Sequence, residues 1–347
     1  MELFACAGCD TPLTTAVTRV ALPGHTHQVW GTDGAFTALL DAGTYVVDPE
    51  PSGPPWRPLA EVGAAEAAAL GVFAPVHSLS FGAPGAIGLA PGDTRNTVLV
   101  PSPCRGACCG QDGGDGPNLV CAGCRRPVAT RVDDCERWQV VWLVPDAVRR
   151  LPATGPAEPP ADWPALLRDR GGIPPVEPSG MWDQRWEAEL GVTLAHLLAA
   201  CEGAAVTVPE GLLADTLGRV LTVLLPPGPP EKTLALAGPG LPAPDADLVL
   251  VPRHPQTGEI WSPPGAAAPV PVAADVWIHL AFQQNRPLVP TVKGDLPEAE
   301  SPRLPWSFFL PDTRVFLRTL ARLPAVREPW LRAIYDRVSG VPCWRPW

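Results

Sequence analysis

Ten cysteines are the side chains best suited to chemistry in this chain: Cys6, Cys9, Cys104, Cys108, Cys109, Cys121, Cys124, Cys135, Cys201 and Cys343. All but the last two fall before residue 136, and four of them form two CxxC pairs set in matching text. Cys-Ala-Gly-Cys-Asp-Thr-Pro-Leu-Thr-Thr runs from 6 to 15, and Cys-Ala-Gly-Cys-Arg-Arg-Pro-Val-Ala-Thr from 121 to 130. On a tight turn, two thiolates at this spacing point at one ion, and small residues between them let backbone amides approach the sulfurs. Two such turns facing each other complete a tetrahedral site of four cysteines. The pattern predicts that Cys6, Cys9, Cys121 and Cys124 share one structural zinc ion, Zn2+, across an insertion of residues 10–120.

The remaining cysteines leave alternatives open. Cys104, Cys108 or Cys109 could join Cys121 and Cys124 in a compact loop, with Cys135 going to Cys6 and Cys9. Eight cysteines would also suffice for two zinc ions. Adjacent thiolates such as Cys108 and Cys109 tend to diverge, so one of that pair is expected to be a small buried hydrophobe. Disulfides are disfavoured in a reducing compartment. A redox CxxC should precede a βαβ helix, and neither CAGC does. Asp112 and Asp115 lie among glycines but lack the spacing of a calcium loop, so the glycines are expected to serve a tight turn through positive φ.

The two CAGCxxP halves resemble the knuckles of zinc-ribbon and rubredoxin-like proteins, whose pseudo-two-fold pairing their mutual similarity fits. The Cys-Cys-Gly-Gln-Asp-Gly-Gly-Asp-Gly-Pro-Asn stretch from 108 to 118, with the following knuckle and Asp134-Cys135, resembles proteins of high-GC bacteria that have no assigned activity. That resemblance covers about the first 145 residues and implies no reaction.

Other catalytic constellations are weak. His25-Thr-His27 puts two imidazoles on one face of an extended segment, yet beyond the nearby Asp33 no third ligand follows, and two polar surface histidines explain it. HExxH, GxSxG, a phosphate-binding P-loop and a strand-to-helix GxGxxG are absent. Cys201 falls on an apolar helical face and reads as core. His196 lies on that same helix. His254 or His279 with an acidic neighbour is the basis of an alternative reading, a hydrolase-like enzyme with its site at a domain junction.

The elements that must position these residues are mixed, and the predicted fold class is α+β. A β-rich, zinc-stabilised N-terminal domain (1–149) is followed by a Pro-rich linker (150–180) and a mixed helix and strand domain (181–347). Strands are predicted at 17–22, 44–47, 86–89, 97–100, 128–132 and 139–144, with 86–89 and 97–100 as a hairpin. Helices are predicted at 60–70, with a short one at 36–42, and a short helical piece at 163–169 inside the linker. Leu190, Leu194, Leu197, Leu198 and Cys201 share one helical face, and Leu213, Leu217, Val220, Leu221 and Leu224 share another. A second hairpin is expected from 247–251 with 259–261. The segment 276–282 reads as strand or helix, and two helices close the chain at 313–323 and 329–338.

The net charge of -10 comes from 36 acidic and 26 basic residues, of which only Lys232 and Lys293 are lysines. An acidic surface without basic runs repels phosphate backbones, so nucleic acid is an unfavoured partner. No apolar run approaches a membrane span and the start lacks a secretory signal, which points to a cytoplasmic protein with no membrane association. With 47 prolines and 13 tryptophans, several of the latter beside prolines, another protein is the expected partner. The first reading is thus a zinc-binding interaction or scaffold module.

Overall fold

The computed structural model describes residues 1–28, 37–100, 108–151, 159–168, 171–289 and 304–341. Helix makes up 28% and strand 23%, so the chain is neither all-α nor all-β. It divides into two compact units, Met1–Ala69 with Val76–Pro160, and Leu70–Pro75 with Ala161–Trp347.

The first unit is built on a seven-stranded sheet. Its strand order is Thr18–Arg19, Thr44–Asp48, Ala86–Leu89, Val140–Leu143, Pro127–Val132, Leu119–Cys121 and Thr97–Leu99. All neighbours are antiparallel except the first pair. A separate antiparallel ladder joins Leu3–Cys6 to Val148–Leu151, pairing Cys6 with Val148. Apolar residues from both ladders meet in one core that includes Phe4, Leu13, Tyr45, Leu89, Val128, Val141 and Leu143, together with Cys6 and Cys121. The strands at 86–89 and 97–99 are not a hairpin. Ala86–Leu89 lies between Thr44–Asp48 and Val140–Leu143, whereas Thr97–Leu99 closes the far edge against Leu119–Cys121. The helix expected over 60–70 is interrupted at Gly63, giving Leu59–Val62 and Ala64–Ala69. Residues 37–42 form bends and a bridge to Gln139 in place of a helix, and residue 36 lies outside the described residues.

In the second unit, Leu248, Val249, Leu250 and Val251 are all buried. An unbroken apolar run of this kind suits a strand covered on both faces, as parallel sheets are. Leu248–Arg253 is indeed the third strand of a parallel sheet ordered Val206–Thr207, Lys232–Leu236, Leu248–Arg253 and Ala268–Ala273. The hairpin expected at 247–261 reduces to one bridge, Arg253 to Ile260. Segment 274–282 is a helix whose buried Trp277 donates from its indole nitrogen to the Leu250 carbonyl at 3.1 Å. Helix Gln184–Cys201 begins where Asp183 accepts from the Arg185 and Trp186 amides, and its predicted apolar face is wholly buried. Thr313–Arg322, capped by Asp312, and Pro329–Ser339 follow. The 163–166 helix starts at an Asp162 cap, and residues 169–170 lie outside the described residues. Among the described residues, no helix is long and apolar enough to cross a membrane.

Candidate metal centre

The two knuckles share the same backbone bonding through their turns. The Cys6 amide donates to the Thr11 carbonyl at 2.9 Å, and the Cys121 amide donates to the Arg126 carbonyl at 2.9 Å. The Asp10 amide donates to the Cys6 carbonyl, and the Arg125 amide to the Cys121 carbonyl, both at 2.9 Å. The residue after each second cysteine turns left-handed, Asp10 at φ 61° and Arg125 at φ 65°. Few non-glycine residues adopt that region, so its double occurrence marks an imposed turn. The prolines then rejoin matching pairings, Pro12 with Ala5 and Pro127 with Val120. Each hairpin thus reverses the chain within one CxxC and aims two sulfurs the same way.

Facing each other, the turns bring four sulfurs together, all within 4.8 Å of one another. Cys6 Sγ lies 3.5 Å from Cys124 Sγ, and Cys9 Sγ lies 3.5 Å from Cys121 Sγ. Four thiolates at about 2.3 Å from one ion stand roughly 3.8 Å apart in a tetrahedron, so the spacing suits an ion of zinc's size. A disulfide would need about 2.05 Å, and all four thiols are free. The donor set, four soft sulfurs of low coordination number, fits zinc or another thiophilic metal. Cys6 and Cys121 are buried in the core and Cys9 and Cys124 are exposed, so the centre sits at the rim of the first unit.

The glycines between the cysteines hold the turns close. A Cβ on Gly123 would lie 2.7 Å from Thr11 Oγ1 and 3.3 Å from Cys9 Sγ. One on Gly8 would meet only Cys124 Sγ at 3.5 Å and atoms farther off. The Gly8 amide donates to Cys6 Sγ at 3.4 Å, and Thr11 Oγ1 lies 3.2 Å from Cys9 Sγ. The Thr11 hydroxyl, then its amide, draw the Cys9 thiol down to about 6. The Arg126 amide favours a thiolate at Cys124, but the sulfurs of Cys9 and Cys6 together outweigh it and push that thiol up to about 11. Sulfurs this close cannot all be thiolate without a cation among them.

Other sequence candidates separate cleanly. Cys104 and Cys343 lie outside the described residues, as does Asp33. Cys108 and Cys109 are both exposed, which corrects the expectation that one would be buried, and they stand beside Cys135. The glycine-rich loop behaves as expected. Gly113 and Gly116 take positive φ, and Asp112 accepts from the Gly114 amide at 2.9 Å.

Cys201 is core, its thiol donating to the Leu198 carbonyl at 3.1 Å. His25 and His27 are not two surface histidines. His25 is buried against Trp138, with ring centroids 4.6 Å apart, and His27 Nε2 lies 3.0 Å from fully buried Asp48. His254 has both ring nitrogens engaged: Nε2 faces the Ala161 carbonyl at 2.8 Å, and Nδ1 accepts from the Gln256 and Thr257 amides. It braces a loop, and has no nitrogen left over to act as a base. His279 is buried edge-on to Trp186, and that burial lowers its basicity.

Thr11 was missed by sequence reading, although its place in the aligned knuckles, opposite Arg126, was visible. Asp134 was also missed, since its bonds to the Cys108, Cys109 and Gly110 amides span 24 to 26 residues. No family model, no curated protein and no solved structure matches this chain.

Proposed function

We propose that Cys6, Cys9, Cys121 and Cys124 hold one structural zinc ion, and that the protein is an interaction or scaffold module whose first unit is folded around it. The observation carrying this reading is the convergence of four free sulfurs from two knuckles with identical backbone bonding. Two of those sulfurs belong to the core, which couples the centre to folding. An open coordination position would favour catalysis, whereas four cysteine ligands close the shell.

Support for a protein partner comes from the second unit. Trp306 is 87% exposed and Phe308 70% exposed in a segment between Pro305 and Pro311, and Arg219 stacks on the Phe308 ring at 3.9 Å. Exposed aromatic residues beside arginine are typical anchors of protein interfaces. The enzyme alternative loses ground because His254 is spent on backbone groups.

The test is metal content on freshly purified protein, followed by thermal melting with and without a chelator. Bound zinc that is lost together with the melt of the first unit supports the reading. A chelated sample that keeps its full cooperative melt sinks it.

A further inference from the structure

We propose that Cys108, Cys109 and Cys135 form a second thiolate site, open to solvent, that takes a soft divalent cation separate from the one at the knuckle centre. Cys109 Sγ, Cys135 Sγ and an Asp134 oxygen lie within 4.8 Å of one another. The Cys135 thiol is also in hydrogen-bonding contact with both the Cys109 and the Cys108 thiols. Two sulfurs and a carboxylate from two separate segments thus meet at one point, with the Cys108 thiol next to them.

The surroundings hold them there. Asp134, almost fully buried, accepts through Oδ2 from the amides of Cys108 at 2.8 Å, Cys109 at 3.0 Å and Gly110 at 3.3 Å. Its Oδ1 accepts from the Glu136 amide at 3.1 Å. Burial opposes its charge, but these four amide donors keep the carboxylate ionised and fix the Cys-Cys-Gly turn against the residue that precedes Cys135. Asp133 adds a second clasp, accepting from the Gln111 amide at 2.8 Å through Oδ1. The two segments approach so closely that a Cβ on Gly110 would lie 2.6 Å from the Asp133 carbonyl. Asp134 is therefore a positioning residue, its oxygens committed to backbone, and the sulfurs are the ligands.

The chemistry favours a cation over a disulfide. The Cys135 amide donates to Cys109 Sγ at 3.3 Å, matching the Gly8 to Cys6 contact in the knuckle, and such donors stabilise thiolate sulfur. A disulfide would use two sulfurs and strand the third. Asp133, Asp134 and Glu136 add negative charge around the thiols, with Arg131 paired to Asp133 at 2.8 Å. Thiolates in that field call for a positive ion. Soft sulfur donors select zinc, cadmium or another thiophilic metal. Cys108 and Cys109 are exposed and Cys135 is half-buried, so the fourth position faces water and the ion should exchange faster than one held by Cys6 and Cys121.

The experiment titrates reduced, metal-free full-length protein with Cd2+ and follows the ultraviolet thiolate charge-transfer band, with bound metal counted by mass spectrometry under native conditions. Wild type should take two equivalents. Cys135→Ser and Cys109→Ser should each keep the tighter equivalent and lose the weaker one, while Cys9→Ser should lose the tighter equivalent whether or not the weaker one survives. Asp134→Asn keeps every sulfur and should weaken only the second equivalent, by about tenfold or more. This separates failure here from failure of the knuckle reading, since each centre has its own variants. A single equivalent in wild type, two in Cys135→Ser, or a Cys109–Cys135 disulfide that persists in place of the second equivalent would overturn the proposal.

Discussion

At the residue scale, the knuckles differ in one respect that substitution can read. Gly8 and Gly123 occupy equivalent places, yet only Gly123 faces a neighbour too near for a methyl group, Thr11 Oγ1 at 2.7 Å. Overpacking a tight site costs about 1–3 kcal/mol. Gly123→Ala should displace the Thr11 hydroxyl from Cys9 and weaken zinc binding about tenfold, roughly 1.4 kcal/mol. Gly8→Ala should stay close to wild type, and a competitive chelator titration of both variants decides the matter. Equal losses in the two would show that the Thr11 contact is incidental.

A second residue reports on pH. Burial, then the Glu2 carboxylate, push the Tyr45 phenol up to about 12. The folded state therefore prefers the neutral phenol, and the stability this confers is complete below about pH 10. It drains away between about pH 10 and 12, as unfolding frees a phenol that ionises at its ordinary value. Tyr45→Phe should flatten that alkaline loss by up to about 2 kcal/mol in denaturant titrations compared at about pH 9 and 11.5. A variant whose decline matches wild type would place the alkaline sensitivity elsewhere.

At the element scale, what could be read in advance follows the range of the forces. The knuckle text repeated because a CxxC turn is decided by its own ten residues, and the matching left-handed Asp10 and Arg125 follow from that local demand. The helical face of Leu190, Leu194, Leu197, Leu198 and Cys201 was legible for the same reason, its apolar residues recurring every three or four positions, and it lies in helix Gln184–Cys201. Strand partners were not. Ala86–Leu89 and Thr97–Leu99 both alternate like strands, and only pairing with Val140–Leu143 and Leu119–Cys121 separates them. Segment 247–251 reads as half of a hairpin because of the turn residues that follow it, although its unbroken apolar run suits the parallel pairing with Ala268–Ala273 that the strand makes. The approach of Cys109 to Cys135 was equally hidden, since Asp134 enforces it by holding the Cys108 and Cys109 amides from across the chain.

One helix makes this tension measurable. Gly191 sits mid-helix in Gln184–Cys201, where alanine is intrinsically better by about 1 kcal/mol. A Cβ there would stand 2.7 Å from the Asp312 carbonyl, the backbone of the cap that starts helix Thr313–Arg322. Backbone cannot yield as a side chain does, so packing should defeat propensity. Gly191→Ala is expected to lower the stability of the second unit by about 1–3 kcal/mol in urea unfolding. A stabilised variant would mean that the two helices slide apart freely.

At the scale of the whole molecule, the coupling of metal to fold should be confined to one unit. Structural zinc contributes about 10–16 kcal/mol when it binds and folds a small cysteine site, comparable with or above the roughly 5–15 kcal/mol net stability of a domain. In the first unit Cys6 and Cys121 pack beside Phe4, Leu119 and Val128, so an ion there fixes core strands as well as two turns. The second unit has its own apolar interior, with Trp186, Leu194, Trp277 and Phe316 fully buried, and its one described cysteine, Cys201, is bonded to its own helix. Chelation should therefore strip amide-exchange protection from Leu3–Cys6, Leu119–Cys121 and Pro127–Val132 while Gln184–Cys201 and Leu248–Arg253 keep theirs. Hydrogen exchange read by mass spectrometry checks each segment directly. Protection lost throughout the chain would mean that the units fold as one cooperative body. Protection kept throughout would mean that the apolar core closes over the knuckles without an ion, and the four sulfurs would then have to be explained by something other than folding.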